Sequence, residues 1–428
     1  MIDRQKMIII AEKIRKKCCA DDYIIRISAQ HDHLVRFARN GITQHIGGDK
    51  LRISLKVAFD NKTGSASINQ SDSDSLDQLI KSAESIARIN KPDPEYIKTA
   101  TAQQLPKVDN FDRETSELNE AAMIDRIKLC IDNARKLKAQ LAGIAEKHHG
   151  LTYLTTRNGF EGFDRDSSYA HSMTIQKDEI ETKVSRSAKA VDEIDMNSLI
   201  DQLNNQLASL EKPQAMNIER IPVIMRPPAV LNWLIFLFWI LDRRSADEGV
   251  SPFTDQLNKK CFGDNFTIRS VLDDSALSTP PFNWEGIPTQ PTTWVEQGIL
   301  KNMPVTRYYA QKIGIEPVFV FNFDFKGDNS SEAEMMKSVP RGLIINNLWY
   351  IRQVDRKTGE MTGLTRDGVM YFEDGKIIRS VNNFRWNEIL HEMTKRIISL
   401  GPSVPQETYA RIPTLLIDAF NLVDSTTF

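Results

Sequence analysis

The sequence predicts an α+β chain of two domains. An N-terminal α/β domain (residues 1–212) combines an antiparallel meander with helices, and a C-terminal, mostly β domain (213–428), barrel- or sandwich-like, surrounds one buried helix. Three observations predict this. Apolar and polar residues alternate early in the chain, amphipathic helical stretches flank them, and the composition changes after Glu211-Lys212-Pro213-Gln214.

Residues 3–19 read as a short helix. From Asp22 to Asn69, short strands follow one another. Leu51, Ile53, Leu55, Val57 and Phe59 alternate with Arg52, Ser54, Lys56 and Ala58, the period of a half-buried strand. Asn40-Gly41, Gly47-Gly48 and Asn61-Lys62-Thr63-Gly64 are expected to form its tight turns. A helix follows with Leu76, Leu79, Ile80, Ala83, Ile86 and Ala87 on one face, capped by Ser73 or Asp74 and ended by Pro92 and Pro94. A linker over about 95–115 leads to a longer expected helix from Ser116 to Leu141. Strands resume over 144–190, turning at Arg157-Asn158-Gly159, and a further helix is expected near 195–210. The second half opens with a strand, Ile221 to Met225, and an apolar helix over 229–241. Hairpins are expected at Trp294–Leu300 and Tyr371–Ile377, where an acidic residue and a glycine lie between β-formers.

Composition narrows the function. Lys+Arg (55) and Asp+Glu (57) nearly cancel, so no long-range field favours nucleic acid. The cysteines Cys18, Cys19, Cys130 and Cys261 form no CxxC pair and suit a reducing compartment; with no signal-peptide pattern at the start, a cytoplasmic location is expected. The apolar run Ala229–Leu241 has thirteen residues. A membrane span needs about 20, so a buried core helix is expected instead.

The seven histidines are His31, His33, His45, His148, His149, His171 and His391. No pair has the helical spacing, with an adjacent Glu, that binds zinc and activates its water. The one His-Glu step, His391-Glu392, is followed by Lys395 and Arg396 where a second histidine would fall. His31, His33 and His45 could converge, but without a nearby Glu or Cys in sequence they read as surface or turn histidines. His148-His149 reads as a helix-end cation before Gly150. No nucleophile elbow, thiol-protease context or phosphate-binding glycine loop occurs.

Several strings taken together resemble the TldD/PmbA family. They are Pro340–Ile345, Leu348–Asp355, Thr358–Gly368, Phe372–Ile377 and Asn383–Glu388, with Glu285–Thr289, Gly298–Leu300, Arg307–Ala310 and Gly314 upstream. In the first half, Arg36–Gln44 and Gly64–Ser67 continue the likeness, which covers roughly 25–400. The resemblance implies paired subunits around an enclosed chamber, cleaving small or unfolded peptides. In the family's TldD subunit, a His-Glu-x-x-x-His helix and a distant Cys hold zinc. The corresponding segment here, Leu231–Leu241, has no His, Glu or Cys but Trp233, Phe236, Phe238 and Trp239, and Cys261 falls too early for the distant ligand. The resemblance therefore implies a TldE/PmbA-type, non-catalytic subunit with no metal or cofactor of its own. Its partner would be a zinc-bearing TldD-like subunit, or a second copy of itself, and its ligand a peptide. The family name "modulator of DNA gyrase" does not imply DNA binding. Arg307, Tyr308, Arg352, Thr362, Arg366 and Asp367 are the expected chamber or peptide contacts. The alternative is a stand-alone homo-oligomer that binds extended peptides without hydrolysis.

Overall fold

The computed structural model describes residues 2–425. Its N-terminal half contains α1 (Arg4–Lys17), β1 (Asp22–Ala38), β2 (Gly41–Phe59), β3 (Lys62–Ile68), α2 (Ser73–Ile89), α3 (Arg113–Glu117), α4 (Glu120–Lys136), β4 (Gln140–Thr156), β5 (Glu161–Lys177), β6 (Ile180–Ala188) and α5 (Met196–Ala208). The strands form one antiparallel sheet in the order β3-β2-β1-β4-β5-β6.

The length of these strands explains where the helices lie. Seventeen residues of β1 extend about 56 Å, whereas a 17-residue helix covers about 25 Å. One helical layer cannot cover the sheet, so two helix pairs share a face. Met7, Ile10 and Ile14 of α1, with Leu76, Leu79 and Ala83 of α2, pack on Ile25 and Ile27. Met123 and Ile127 of α4, with Leu199 and Leu203 of α5, pack on Val35 and Phe37. All four β1 residues are odd-numbered and so face the same way. His31 and His33 lie on that face, between the two apolar patches.

The C-terminal half contains β7 (Arg220–Met225), α6 (Pro227–Ile240), α7 (Arg243–Asp247), β8 (Ile268–Ser270), β9 (Thr292–Glu296), β10 (Ile299–Leu300), α8 (Arg307–Ile313), β11 (Phe323–Phe325), α9 (Glu332–Ser338), β12 (Arg341–Asp355), β13 (Glu360–Glu373), β14 (Lys376–Val381), β15 (Phe384–Ile389), α10 (Leu390–Thr394), β16 (Ile397–Glu407) and β17 (Ala410–Ser425). They form an 11-stranded mixed sheet. β7 pairs in parallel with β12 and antiparallel with β17, so hydrogen bonding passes from β17 through β15, β13, β12 and β7 back to β17. Trp233, Leu234 and Leu237 of α6 are buried in one core with Val223, Ile345, Trp386 and Leu415. Pro227 and Pro228 open α6, where their missing N–H groups cost nothing. No helix among the described residues is long and apolar enough to cross a membrane.

Four expectations need correction. Gly47 and Gly48 do not turn the chain; they lie inside β2, paired with His33 and Asp32. The helix expected over 116–141 is broken: α3 ends at Glu117, and Asn119 caps α4 by accepting from the Ala122 amide. α4 then stops at Lys136, because Lys138 adopts a left-handed backbone (φ 55°) and Gln140 enters β4. His148 and His149 stand in the middle of β4, not at a helix end. Trp239 is not a core residue: it is 70% exposed, although Trp233 on the same helix is fully buried.

Candidate functional site

A cleft of about 940 Å³ lies where the two sheets approach each other. The β5–β6 turn (Glu179–Glu181) and the linker Leu210–Pro213 form one side, and Trp349, Tyr350, the β13 segment Leu364–Val369 and Arg385 form the other. Lys212 and Glu179 pair at 2.7 Å.

The β12–β13 ladder is irregular at this cleft. Its register shifts between Ile345 and Asn347 and again between Trp349 and Arg352, as β-bulges do when they redirect side chains. Tyr350 (φ 57°), Asp367 (φ 63°) and Gly368 (φ 96°) have left-handed backbones, which cost non-glycine residues about 1–3 kcal/mol unless their surroundings enforce them.

For Asp367 those surroundings are clear. Its carboxylate accepts from Asn347 Nδ2 at 2.8 Å, and its carbonyl accepts from Asn346 Nδ2 at 2.8 Å and Thr182 Oγ1 at 3.2 Å. Asn346 Oδ1 in turn accepts from Arg226 Nη1 at 2.6 Å. Arg226 also grips the Glu332 carboxylate through Nε (2.8 Å) and Nη2 (2.7 Å), the strong two-point geometry of a guanidinium. Asn232, the lone polar side chain of α6, donates to Asn347 Oδ1 at 2.6 Å. A polar network thus ties the start of α6 to the floor of the cleft. Above it, Arg366 lies over the Trp349 ring at 4.7 Å, with its Nε 3.5 Å from Asp367 Oδ1.

The six residues singled out from sequence do not form one site. Arg366 and Asp367 line the large cleft, Arg366 facing it and Asp367 supporting it. Arg352 lines a separate 380 Å³ pocket with Phe236 and Trp239, stacked over Tyr350 at 4.7 Å. Arg307 and Tyr308 line a 90 Å³ pocket between the halves, where Arg307 Nη2 donates to the Lys98 carbonyl at 2.9 Å. Thr362 lies on β13 between Arg352 and Asn387, its hydroxyl buried without a partner.

Trp349, Tyr350, Asn346, Asn347 and Arg226 are not among the contacts expected from sequence. A usable signal was present: Asn346-Asn347 interrupts the apolar run Leu343–Ile345, and Asn232 is a single amide in an apolar helix. The histidines also behave differently from their reading as isolated surface groups. His33, His45 and Glu120 meet over the N-terminal sheet. On its opposite face, His148 bridges Asp32 (2.6 Å) and Asp166 (3.0 Å). The hydrogen bond that His148 donates to Asp166, opposed by burial and reinforced by Asp32, pushes His148 up to about 9. The expected ligand position on α6 holds core side chains, and Cys261 is buried, which pushes its thiol up to about 11.

One antiparallel sheet, one mixed sheet built around the apolar α6, and a cleft between the two sheets define a known architecture. The TldE structure from Thermococcus kodakarensis superposes with a TM-score of 0.85, at 15% identity over 98% of this chain and 99% of that one. A Bacteroides thetaiotaomicron structure named as a candidate modulator of DNA gyrase gives 0.86, at 16% identity over 99% and 100%. In sequence, the PmbA/TldA metallopeptidase C-terminal domain matches residues 218–424, and domain 1 of the same family matches 23–87. The Escherichia coli O157:H7 protein named metalloprotease PmbA is 22% identical over 399 residues, covering 85% of this chain and 84% of that one. The chain belongs to the PmbA/TldD family.

Proposed function

We propose that this chain is the non-catalytic, TldE-like subunit of a TldD/TldE-type peptidase assembly, holding peptide for a zinc-bearing partner. The observation that carries the reading is α6. Hydrolysing a peptide bond at neutral pH requires an activated water, which a metal with an adjacent carboxylate supplies. Leu231–Leu241 offers neither, and Trp233, Leu234 and Leu237 are committed to the core. The cleft supports a holding role: Arg366, backed by Asp367, beside exposed Trp349 and Tyr350 presents charge and aromatic surface to an extended chain. No zinc ligand set is assigned to α6, and the reaction step belongs to the partner in this proposal. A cytoplasmic location is part of the same reading.

The test compares this chain, a TldD-like partner from the same cell and their mixture on an unstructured, dye-labelled peptide. We expect cleavage only in the mixture, falling at least tenfold with Arg366→Ala. Chelator-resistant cleavage by this chain alone would overturn the proposal.

A further inference from the structure

We infer that His33, His45 and Glu120 form a site for one zinc-type divalent ion, fastening the middle of the β1–β2 hairpin to the start of α4. It lies on different elements from α6 and does not depend on the proposed role in peptide handling.

The site begins with the sheet register. His33 on β1 lies opposite Gly47 on β2, and Val35 lies opposite His45. His33 and His45 are therefore diagonal neighbours on the helix-bearing face. A side chain at position 47 would block their approach: a Cβ there would sit 2.5 Å from His33 Nδ1 and 2.6 Å from Cε1. Glycine lets the imidazole lie across β2. The rings then stack with centroids 5.6 Å apart, and His33 Nδ1 comes 3.3 Å from His45 Nε2. Glu120, the first residue of α4, brings Oε1 to 3.1 Å from the same Nδ1. The three ligand atoms all lie within 4.8 Å of one another. For Zn–N and Zn–O bonds of about 2.0–2.1 Å, tetrahedral ligand atoms are about 3.3 Å apart, close to the two distances at Nδ1.

The neighbouring hydrogen bonds select the tautomer that can bind. With both rings neutral, His31 Nδ1 donates to the Asp49 carboxylate at 2.6 Å, leaving its Nε2 as an acceptor. That Nε2 is 2.9 Å from His33 Nε2, so the His33 proton resides there and donates to His31. His33 Nδ1 is then a bare lone pair facing the Glu120 carboxylate. Two acceptors at 3.1 Å repel unless a cation lies between them. A carboxylate–imidazole relay behind a ligating histidine is also how metal sites orient their ligands. The Lys147 ammonium, across from His33 in the β1–β4 pairing, donates to the Ser116 and Leu118 carbonyls. Two imidazoles and one carboxylate suit zinc better than calcium or magnesium, which favour all-oxygen sets. The fourth position is open to water.

The test is calorimetric titration of the metal-stripped full chain with ZnCl₂, with Co²⁺ absorption as a coordination readout. We expect one equivalent, with the intense visible bands of tetrahedral Co²⁺. His45→Gln alters an exposed side chain and Glu120→Gln is isosteric at a half-buried one, so the fold is retained, and each should weaken binding at least tenfold. His31→Gln, which removes the orienting relay, should weaken it about 10–100-fold. Gly47→Ala should also weaken it, while His391→Gln should bind as the parent does. Failure of the parent to bind one equivalent would overturn the inference. So would parent-like binding by both His45→Gln and Glu120→Gln, which would show adventitious surface binding.

Discussion

Replacing Trp233 by alanine should destabilise the C-terminal half, whereas replacing Trp239, six positions along the same helix, should not. Trp233 is fully buried, with its ring 6.3 Å from that of Phe266; Trp239 is 70% exposed and touches Phe236, with centroids 4.7 Å apart. Removing a buried indole of about 200 Å² forfeits about 5 kcal/mol at 25 cal/mol/Å². Trp233 Nε1 is buried without a partner, and losing that unsatisfied donor returns about 1–2 kcal/mol. The net cost is therefore about 3–4 kcal/mol, within the usual range for emptying an aromatic core position. Trp239→Ala should stay within about 0.5 kcal/mol. Urea unfolding followed by tryptophan fluorescence isolates the relevant half, because all six tryptophans lie beyond residue 212. With a slope of roughly 2–3 kcal/mol/M, the Trp233→Ala midpoint should fall by roughly 1–2 M. Equal shifts for the two variants would refute the assignment of α6's inner and outer faces.

Two further predictions concern charge. His148 is raised above its ordinary 6.5 to about 9, so its pairing with Asp32 and Asp166 stabilises the fold fully below pH 6.5 and is lost as pH rises through 9. His148→Gln should lower the melting temperature at pH 6 and leave it near the parent's at pH 10; parallel curves would refute the bridge. Glu332→Gln should cost about 2–4 kcal/mol, because it leaves the largely buried Arg226 guanidinium without its carboxylate. In a double-mutant cycle with Arg226→Met, the coupling should exceed 1 kcal/mol, and additivity would show that the pair acts independently.

Local pattern made much of the fold legible. Leu51 to Phe59 alternates with the strand period because one face of β2 meets α2, and α6 is apolar because Trp233, Leu234 and Leu237 enter a single core. What pattern could not show was length and direction. Gly47-Gly48 has turn chemistry, yet both glycines pair within a 19-residue strand, and at position 47 the His33 ring occupies the space a side chain would fill. The exposure of Trp239 was equally hidden, since a helix whose single polar residue is Asn232 has no polar stripe to mark its outer face. At the site, Arg366 and Asp367 came from a motif, but their company did not. The grouping of Trp349, Asn347, Thr182 and Lys212 depends on strand pairings and a half-to-half approach that no sequence spacing records. For the same reason Glu120, 75 residues beyond His45, could not be coupled to it from spacing alone.

The six-stranded sheet carries two separate apolar cores on single continuous strands, and this should make its resistance to opening uneven along one chain segment. Amides of β1 beneath α1 and α2 (Ile25–Ala29) and beneath α4 and α5 (Val35–Phe37) are sheltered by packed helices, while His31–Leu34 crosses the gap between them. Hydrogen exchange along β1 should then fall into slow, fast and slow zones. The strand would behave as two anchored spans joined by a compliant middle, so that strain at one end is partly absorbed before it reaches the other.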